Sequence, residues 1–341
     1  MRVRLTRIDN EDLNLFEFDY DLTMMVFFLN AEGRVYARYG GRDADSADKR
    51  QSLDGLHYTM ASVLRMHDSE EKQFARRATD ATKYVRDAMT MPRFGRCLHC
   101  HQVKEILDND RKKKGQGSPD MIWRYPLPEN LGFDLEIDRG NVIAGVRDHT
   151  PAAAAGLKAG DMVLRLNQVP VHSFGDAQFA LDVAPGTGSI EIVWQRAGRI
   201  LKNKLSLPNG WRKTDIAWRP SLQHLVPSAR LSGRDLTAEE KKALGLPANQ
   251  LAFRQKDPVS SQAEAPGIRP GDVILGIDDK PFPDMDVYDF LRHVQHNYLV
   301  GDRVTINLLR DGQRMKPVMI LQPGATGRRS SRTEPRSGGS R

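Results

Sequence analysis

Cysteine is nearly absent: Cys97 and Cys100 are the only two in a chain of 341 residues. One pair cannot frame a disulfide-stapled fold, so stability has to come from apolar cores. Long hydrophobic runs are missing too. The longest near the N-terminus, Met24 to Leu29, is strand-sized, far short of the roughly 20 apolar residues that cross a bilayer. The opening MRVRLTRIDNEDLNLFEF has basic residues but no apolar stretch and no small-residue cleavage site. Taken as a genuine start, it places the chain in the cytoplasm. A Gly-x-Ser-x-Gly elbow, a Gly-rich phosphate loop, an HExxH pair and an EF-hand loop are all lacking, which argues against an ordinary hydrolase.

Charge is present but unevenly spread. The net charge is +7, and the last fourteen residues, Arg328 to Arg341, hold five arginines against one glutamate. Their Gly, Ser, Pro and Arg content cannot build a core, so 323–341 is expected to be a disordered basic tail. The run RKKK at 111–114 reads as an exposed basic turn. Nucleic acid is an unlikely partner on this showing, since a solvated end explains the charge.

What the chain does have is an internal repeat. AGLKAGDMVLRLNQVPV at 155–171 returns as PGIRPGDVILGIDDKPF at 266–282. Gly156, Gly160, Asp161 and Pro170 match Gly267, Gly271, Asp272 and Pro281 at an offset of 111. Further on, IEIVWQRAGR matches VTINLLRDGQ at an offset of 114, so the second copy carries three extra residues in a helix or loop. Each copy reads as a glycine turn, a strand, a helix and a hairpin. The first helix has Ser173 as its cap, followed by Phe174, Ala177, Phe179, Ala180 and Leu181; the second covers Met285 to Val294. Ala197-Gly198 and Asp311-Gly312 supply the hairpin bends.

LGF at 131–133, TPAAAAGLKAGDMVLRLNQVPV and APGIRPGDVILGIDDKPF resemble bacterial PDZ domains of the kind attached to envelope proteases. No serine-protease half precedes residue 131. The resemblance implies that proteins or peptides with free C-termini are the partners. The amides around Leu131, Gly132 and Phe133 would receive the carboxylate, and the peptide would add as an edge strand. The neighbouring helix, with Phe174, Gln178 and Leu181, would form the other wall. The rival reading is a PDZ fold packed against its neighbours that never takes a free peptide. For the second copy, the carboxylate loop is expected within GLPANQLAF at 245–253.

Between the copies, GWRKTDIAWRPS holds two tryptophans, too many for a floppy tether. DLTAEEKKALGL reads as a short helix capped reciprocally by Thr237 and Glu240 and closed near Gly245.

Upstream, LTMMVFFLNAEGRVYARYGG reads as two strands joined at Glu32-Gly33. A helix follows Ser52 or Asp54, with Leu53, Leu56, Met60, Val63 and Leu64 inward. This resembles the later half of a thioredoxin-like domain. DLNLFEFDYDLTMMVFFLNAEGRVYARYGGRD, GRCLHCHQVKE, MIWRYPLP and GWRKTDIAWRP together resemble a planctomycete-type bacterial family that joins a thioredoxin-like segment to PDZ domains. That resemblance implies an envelope or periplasmic protein, some members of the family having a signal segment and a redox cysteine or selenocysteine before this point; either the start is placed too late, the preferred explanation, or this copy has lost its redox half.

Cys97, Cys100 and His101 form C-x-x-C-H, the attachment pattern of c-type haem. Two thioethers would fix the porphyrin and His101 would be the metal ligand. Met121, twenty residues beyond His101, is the preferred sixth ligand over His57, His67, Met89 and Met91, and an open sixth position is the other alternative. Zinc held by Cys97, Cys100 and His99 or His101, a reactive dithiol, and no special role remain as rivals.

The expected fold class is multidomain α+β. A partial thioredoxin-like segment (1–75) is followed by a small helical CxxCH segment (76–128) and a PDZ-like β-rich domain (129–207). A structured connector (208–244) and a second PDZ-like domain (245–322) precede the tail. The expected function is a haem c redox or electron-transfer protein with a redox partner and PDZ-mediated peptide binding. The alternatives are a non-catalytic PDZ scaffold and a thiol–disulfide oxidoreductase completed upstream.

Overall fold

The structure is a computed structural model that describes residues 2–5, 8, 10–69, 74, 83–88, 98, 100–214 and 218–324. Two compact units divide it at Leu222 and Gln223. Among the described residues, no helix is long and apolar enough to cross a membrane.

Unit 1 begins with an antiparallel pair, β1 (Val26–Leu29) and β2 (Val35–Tyr39), turned at Gly33, whose φ of 73° suits a residue without Cβ. Helix α1 (Leu53–Asp68) starts at Ser52, whose Oγ accepts from the Gly55 amide at 2.9 Å. Its inner face is Gly55, Thr59 and Val63, whereas Leu53, Met60 and Leu64 are exposed. The apolar pattern pointed elsewhere because this helix packs by close approach. A Cβ on Gly55 would stand 2.6 Å from the Ile137 carbonyl oxygen, so small residues form the contact. Helix α2 (Cys100–Lys113) and the 3₁₀ turn Pro119–Trp123 follow.

The first β-rich fold contains β3 (Phe133–Leu135), β4 (Ile143–Val146), α3 (Pro151–Ala154), β5 (Met162–Leu166), β6 (Val169–Pro170), α4 (Phe174–Asp182), β7 (Gly188–Arg196) and β8 (Arg199–Leu207). β3 pairs with β4, and a four-stranded sheet runs β6-β5-β7-β8. Its core includes Leu131, Phe133, Ile143, Val163, Leu181, Ile190, Ile192 and Trp194, and it draws in Trp211 from beyond β8. The bend at Ala197-Gly198 has φ of 47° and 79°, the left-handed pair that such a two-residue turn demands.

Unit 2 repeats the plan. Its elements are β9 (Pro227–Ser228), β10 (Gly233–Asp235), α5 (Ala238–Ala243), β11 (Phe253–Gln255), α6 (Ser261–Glu264), β12 (Val273–Ile277), α7 (Val287–Asn297), β13 (Arg303–Arg310), β14 (Gln313–Met315), β15 (Val318–Ile320) and β16 (Gln322–Pro323). The main sheet runs β10-β11-β12-β13-β14, with β15 also on β13. The capping box on α5 forms as expected: Glu240 N donates to Thr237 Oγ1 at 3.3 Å and Thr237 N to Glu240 Oε2 at 2.9 Å. Two of the three extra residues of the second copy precede the helix: the cap Ser173 lies three positions after Pro170, the cap Asp286 five after Pro281. β10 lies within the stretch expected as a connector, so this sheet starts well before residue 245.

One arrangement explains the repeated motif. In unit 1, Arg196 grips buried Asp161 with two hydrogen bonds of 2.6 and 2.7 Å and donates to the Gly156 carbonyl. In unit 2, Arg310 grips Asp272 with two bonds of 2.8 Å and donates to the Gly267 carbonyl. Asp161 and Asp272 also accept the Lys158 and Arg269 amides. The glycines before each aspartate, Gly160 and Gly271, have φ of 85° and 88°. The shared signature is therefore a buried, fully satisfied carboxylate that pins the turn to the hairpin.

The thioredoxin-like expectation is not supported. Among the described residues, β1 and β2 form an isolated two-stranded antiparallel sheet with no parallel neighbour.

Candidate functional site

The site expected in the first copy lies between the outer edge of β3 and helix α4. Because Arg147 N donates to Gly132 O, the backbone polar groups of Phe133 and Leu135 face away from β4. Gly132 takes φ 94°, and an added Cβ would collide with Thr150, so glycine is required there. Its amide does not face an open loop; it donates to Glu129 O at 3.1 Å. Leu131 and Phe133 are fully buried and Gln178 is 1% exposed. These residues stand where a carboxylate loop and a helical wall belong, yet they are shut off from solvent. All nine residues of α4 are buried, because the N-terminal region lies against the helix.

The contacts that bury α4 are specific. Asp176 accepts from the Arg38 and His172 amides at 2.8 and 3.1 Å, and the Arg38 guanidinium sits 3.6 Å over the Phe179 ring. Burial raises the Asp176 carboxyl to about 7 despite the opposing pull of Arg38. Ser173 Oγ donates to the Arg38 carbonyl. Gln178 Nε2 donates to Tyr125 O at 3.1 Å and to Asp19 Oδ2 at 3.4 Å. Asp19 and Asp21 are themselves held by Arg219, at 2.8 and 3.4 Å.

In unit 2, the matching loop is Ser228 to Leu231 and not 245–253. Arg230 adopts φ 53° where the first copy has Gly132, and Ala229 and Leu231 enter the second core as Leu131 and Phe133 enter the first. The cap Ser260 donates to Arg230 O at 3.0 Å, as the cap Thr150 abuts Gly132. Sequence comparison missed the match because an arginine stands in the left-handed position where glycine is the usual signal.

Here, among the described residues, no segment other than β11 pairs with the outer strand β10. β10 is the terminal strand of its sheet, and Lys256 N to Ser232 O and Leu236 N to Ala252 O fix its pairing face. Leu231, Gly233 and Asp235 therefore direct their backbone groups outward. Of α7, only Val287, Phe290 and Val294 are buried. Leu291, fifth after the cap Asp286 as Gln178 is fifth after Ser173, is half-buried. Val287 N bonds Asp235 Oδ1 at 3.0 Å and ties the helix start to the strand end.

The cofactor candidates fare differently. Cys97 and the His101 side chain lie outside the described residues, as do Met89 and Met91. Cys100 opens α2 and packs against a cluster of Leu13, Phe18, Tyr20 and Val103, and burial pushes its thiol above the ordinary value. Met121 is 6% exposed, and its sulfur accepts the Ser118 amide at 3.5 Å. Among the described residues no cluster of three His, Cys, Asp or Glu side chains suits a metal. A serine–histidine hydrogen bond does occur, Ser62 Oγ to His172 Nδ1 at 2.8 Å. It does not make a triad, since His172 Nε2 has no partner and Asp176 meets the His172 backbone rather than the ring. Burial lowers the His172 ring to about 4.

A family model described as a PDZ domain matches residues 142–196. A PDZ domain is therefore present, and the match spans β4 to β7 with helices α3 and α4 between them. A "Probable periplasmic serine endoprotease DegP-like" from Pseudomonas fulva (strain 12-X) is 31% identical over 153 residues, 43% of this chain and 31% of the relative. A protein of the same name from Brucella suis biovar 1 (strain 1330) is 26% identical over 52% of this chain and 34% of its own length. The magnetosome formation protease MamE of Magnetospirillum gryphiswaldense is 36% identical over 25% of this chain and 11% of its own. The chain thus spans about a third of the length of the DegP-like relatives. A solved "HtrA-type protease AlgWS227A with decapeptide" aligns over 54% of this chain and 56% of that one, at 16% identity and a TM-score of 0.27.

These relatives overturn the haem reading. They are serine endoproteases with PDZ domains, which use no covalent haem c, so the assignment of Cys97, Cys100, His101 and Met121 to a porphyrin is withdrawn. The electron-transfer function, the redox partner and the thiol–disulfide alternative go with it. Cys100 instead packs against an apolar cluster.

Proposed function

We propose that this chain supplies peptide recognition of the PDZ type to DegP-like proteolysis in the bacterial envelope, with unit 2 as the working site. An extended polypeptide adds to the outer edge of β10 and lays alternate side chains toward α7, where Leu291 offers an apolar wall. The backbone of Ala229 to Leu231 receives a free C-terminal carboxylate. The single observation that carries this reading is the outer edge of β10, unpaired among the described residues, beside a helix with three of eleven residues buried. Support for the envelope comes from the relatives, which are named as periplasmic.

The test is fluorescence polarisation with a short labelled peptide ending in valine, and the same peptide amidated at its C-terminus. Binding that weakens by about tenfold or more on amidation supports carboxylate capture, the loss expected for one charge-assisted contact of about 1.4 kcal/mol. Equal binding of both forms removes that feature, and no binding of either removes the reading.

A further inference from the structure

The first copy has a groove of the same design, yet the strand edge at Leu135 and the middle and end of the helix already have partners from the same chain. At the sheet edge, the outward carbonyl of Leu135 accepts Arg50 Nη1 at 3.1 Å. The same guanidinium pairs with Glu129 beside the loop and lies 4.8 Å over the ring of Phe174, the first residue of α4. At the middle of the helix, Gln178 is taken by Tyr125 O and Asp19. At its end, Asp182 accepts from Tyr125 N at 2.7 Å and is gripped by Arg124. Arg212 caps the Leu181, Asp182 and Ala184 carbonyls, and its own carbonyl accepts from Asn130 in the loop at 3.4 Å.

The occupants come from both sides of the fold: Arg50, Arg124 and Tyr125 precede it, and Arg212 follows β8. The other flank of α4 meets β2 through Arg38, Ser173 and Asp176, and a Cβ on Gly41 would strike Phe174. We infer that the groove of the first PDZ-type fold holds the chain's own segments as an internal ligand. It docks the N-terminal region and leaves the chain with one peptide site. This rests on the peptide-binding reading only for the count of sites; the docking role stands without it.

The test uses the full chain. Calorimetric titration with the valine-ending peptide is expected to give one equivalent bound. Hydrogen exchange is then measured in Arg50→Ala and, as a second variant, Gln178→Leu. Faster exchange over residues 10–41, by about tenfold, with peptide affinity unchanged, is the expected result. Two equivalents per chain overturn the inference. So does weakened peptide binding with protection of residues 10–41 intact. If the Gln178 variant does not fold, the Arg50 variant decides alone. If no peptide binds at all, the proposed function fails, and the exchange result still decides the docking role.

Discussion

Helices α4 and α7 begin alike, with Ser173 and Asp286 accepting the amides of Asp176 and Asp289. Their surroundings differ: every residue of α4 is buried, but only Val287, Phe290 and Val294 of α7 are. The repeat therefore conserves what holds the fold and varies what surrounds it. The Asp–Arg clasp, the capped helix and the left-handed hairpin bend recur because each meets a local need of the backbone: a pinned turn, an acceptor for first-turn amides, and a bend with positive φ. The faces of the helices are free to diverge. In the first copy the divergence is polar and ionic, with Asp176, Gln178 and Asp182 each bonded to another segment. In the second, Leu291 stands in the place of Gln178 and meets no such partner.

The comparison can be broken most sharply at the clasps. Asp161→Ala and Asp272→Ala each leave an arginine facing an emptied buried site, at a cost of about 3 kcal/mol or more. Urea unfolding of both variants is expected to show matching losses, the first in the transition of unit 1 and the second in that of unit 2. Losses below about 1 kcal/mol in either would deny the clasp its structural role.

Next in size is the pH response of α4. The folded Asp176 carboxyl titrates near 7, above its unfolded value near 3.8, so its contribution is fully present below pH 4 and is lost as pH rises through 7. That loss is on the order of a few kcal/mol in unit 1. His172 works the other way: its ring is lowered to about 4, so stability is present above its unfolded value and lost as pH falls. Carboxyl NMR of Asp176 checks the first directly, and its replacement by Asn is expected to remove the decline between pH 4 and 7. Unit 2 has no counterpart to Asp176, since Asp289 is exposed, and is expected to lack this decline.

The loops give a third contrast. Gly132→Ala places a Cβ into Thr150 at a positive φ and is expected to cost about 2 kcal/mol. The reverse change, Arg230→Gly, relieves a left-handed arginine and is expected to shift stability by less than about 1 kcal/mol. Thermal unfolding of the two variants reads both.

The last contrast belongs to Leu291→Asp on the half-exposed face of α7. Because Leu291 also packs against the second core, the substitution is expected to cost about 1 kcal/mol of stability while weakening the valine-ending peptide by about tenfold or more. Unchanged peptide affinity would move the binding site away from α7.

Much of this is legible in the order of residues alone. The spacing of Gly156, Gly160 and Asp161 with Gly267, Gly271 and Asp272 announced two like folds, and Ala197-Gly198, Asp311-Gly312, Ser173 and Thr237 announced their turns and caps. Such signals are local: a positive φ or a capping hydroxyl acts within four residues, so the order of residues is enough to specify it. The errors came where contacts span the chain. Leu53, Met60 and Leu64 looked inward by periodicity, but Gly55 and Thr59 made the contact, because the turn at Ile137 came close enough to Gly55 to exclude a larger side chain.

By itself, then, the sequence determined a duplicated plan of glycine turn, strand, capped helix and hairpin, each part imposed by short-range backbone chemistry. Only the tertiary structure decided which groove is filled. Asp19 and Gln178 lie 159 residues apart and Asp19 and Arg219 lie 200 apart, and nothing local records that they meet. Whether a helix faces solvent or another segment depends on pairings at that range, where burial and charge satisfaction across the whole unit set the outcome.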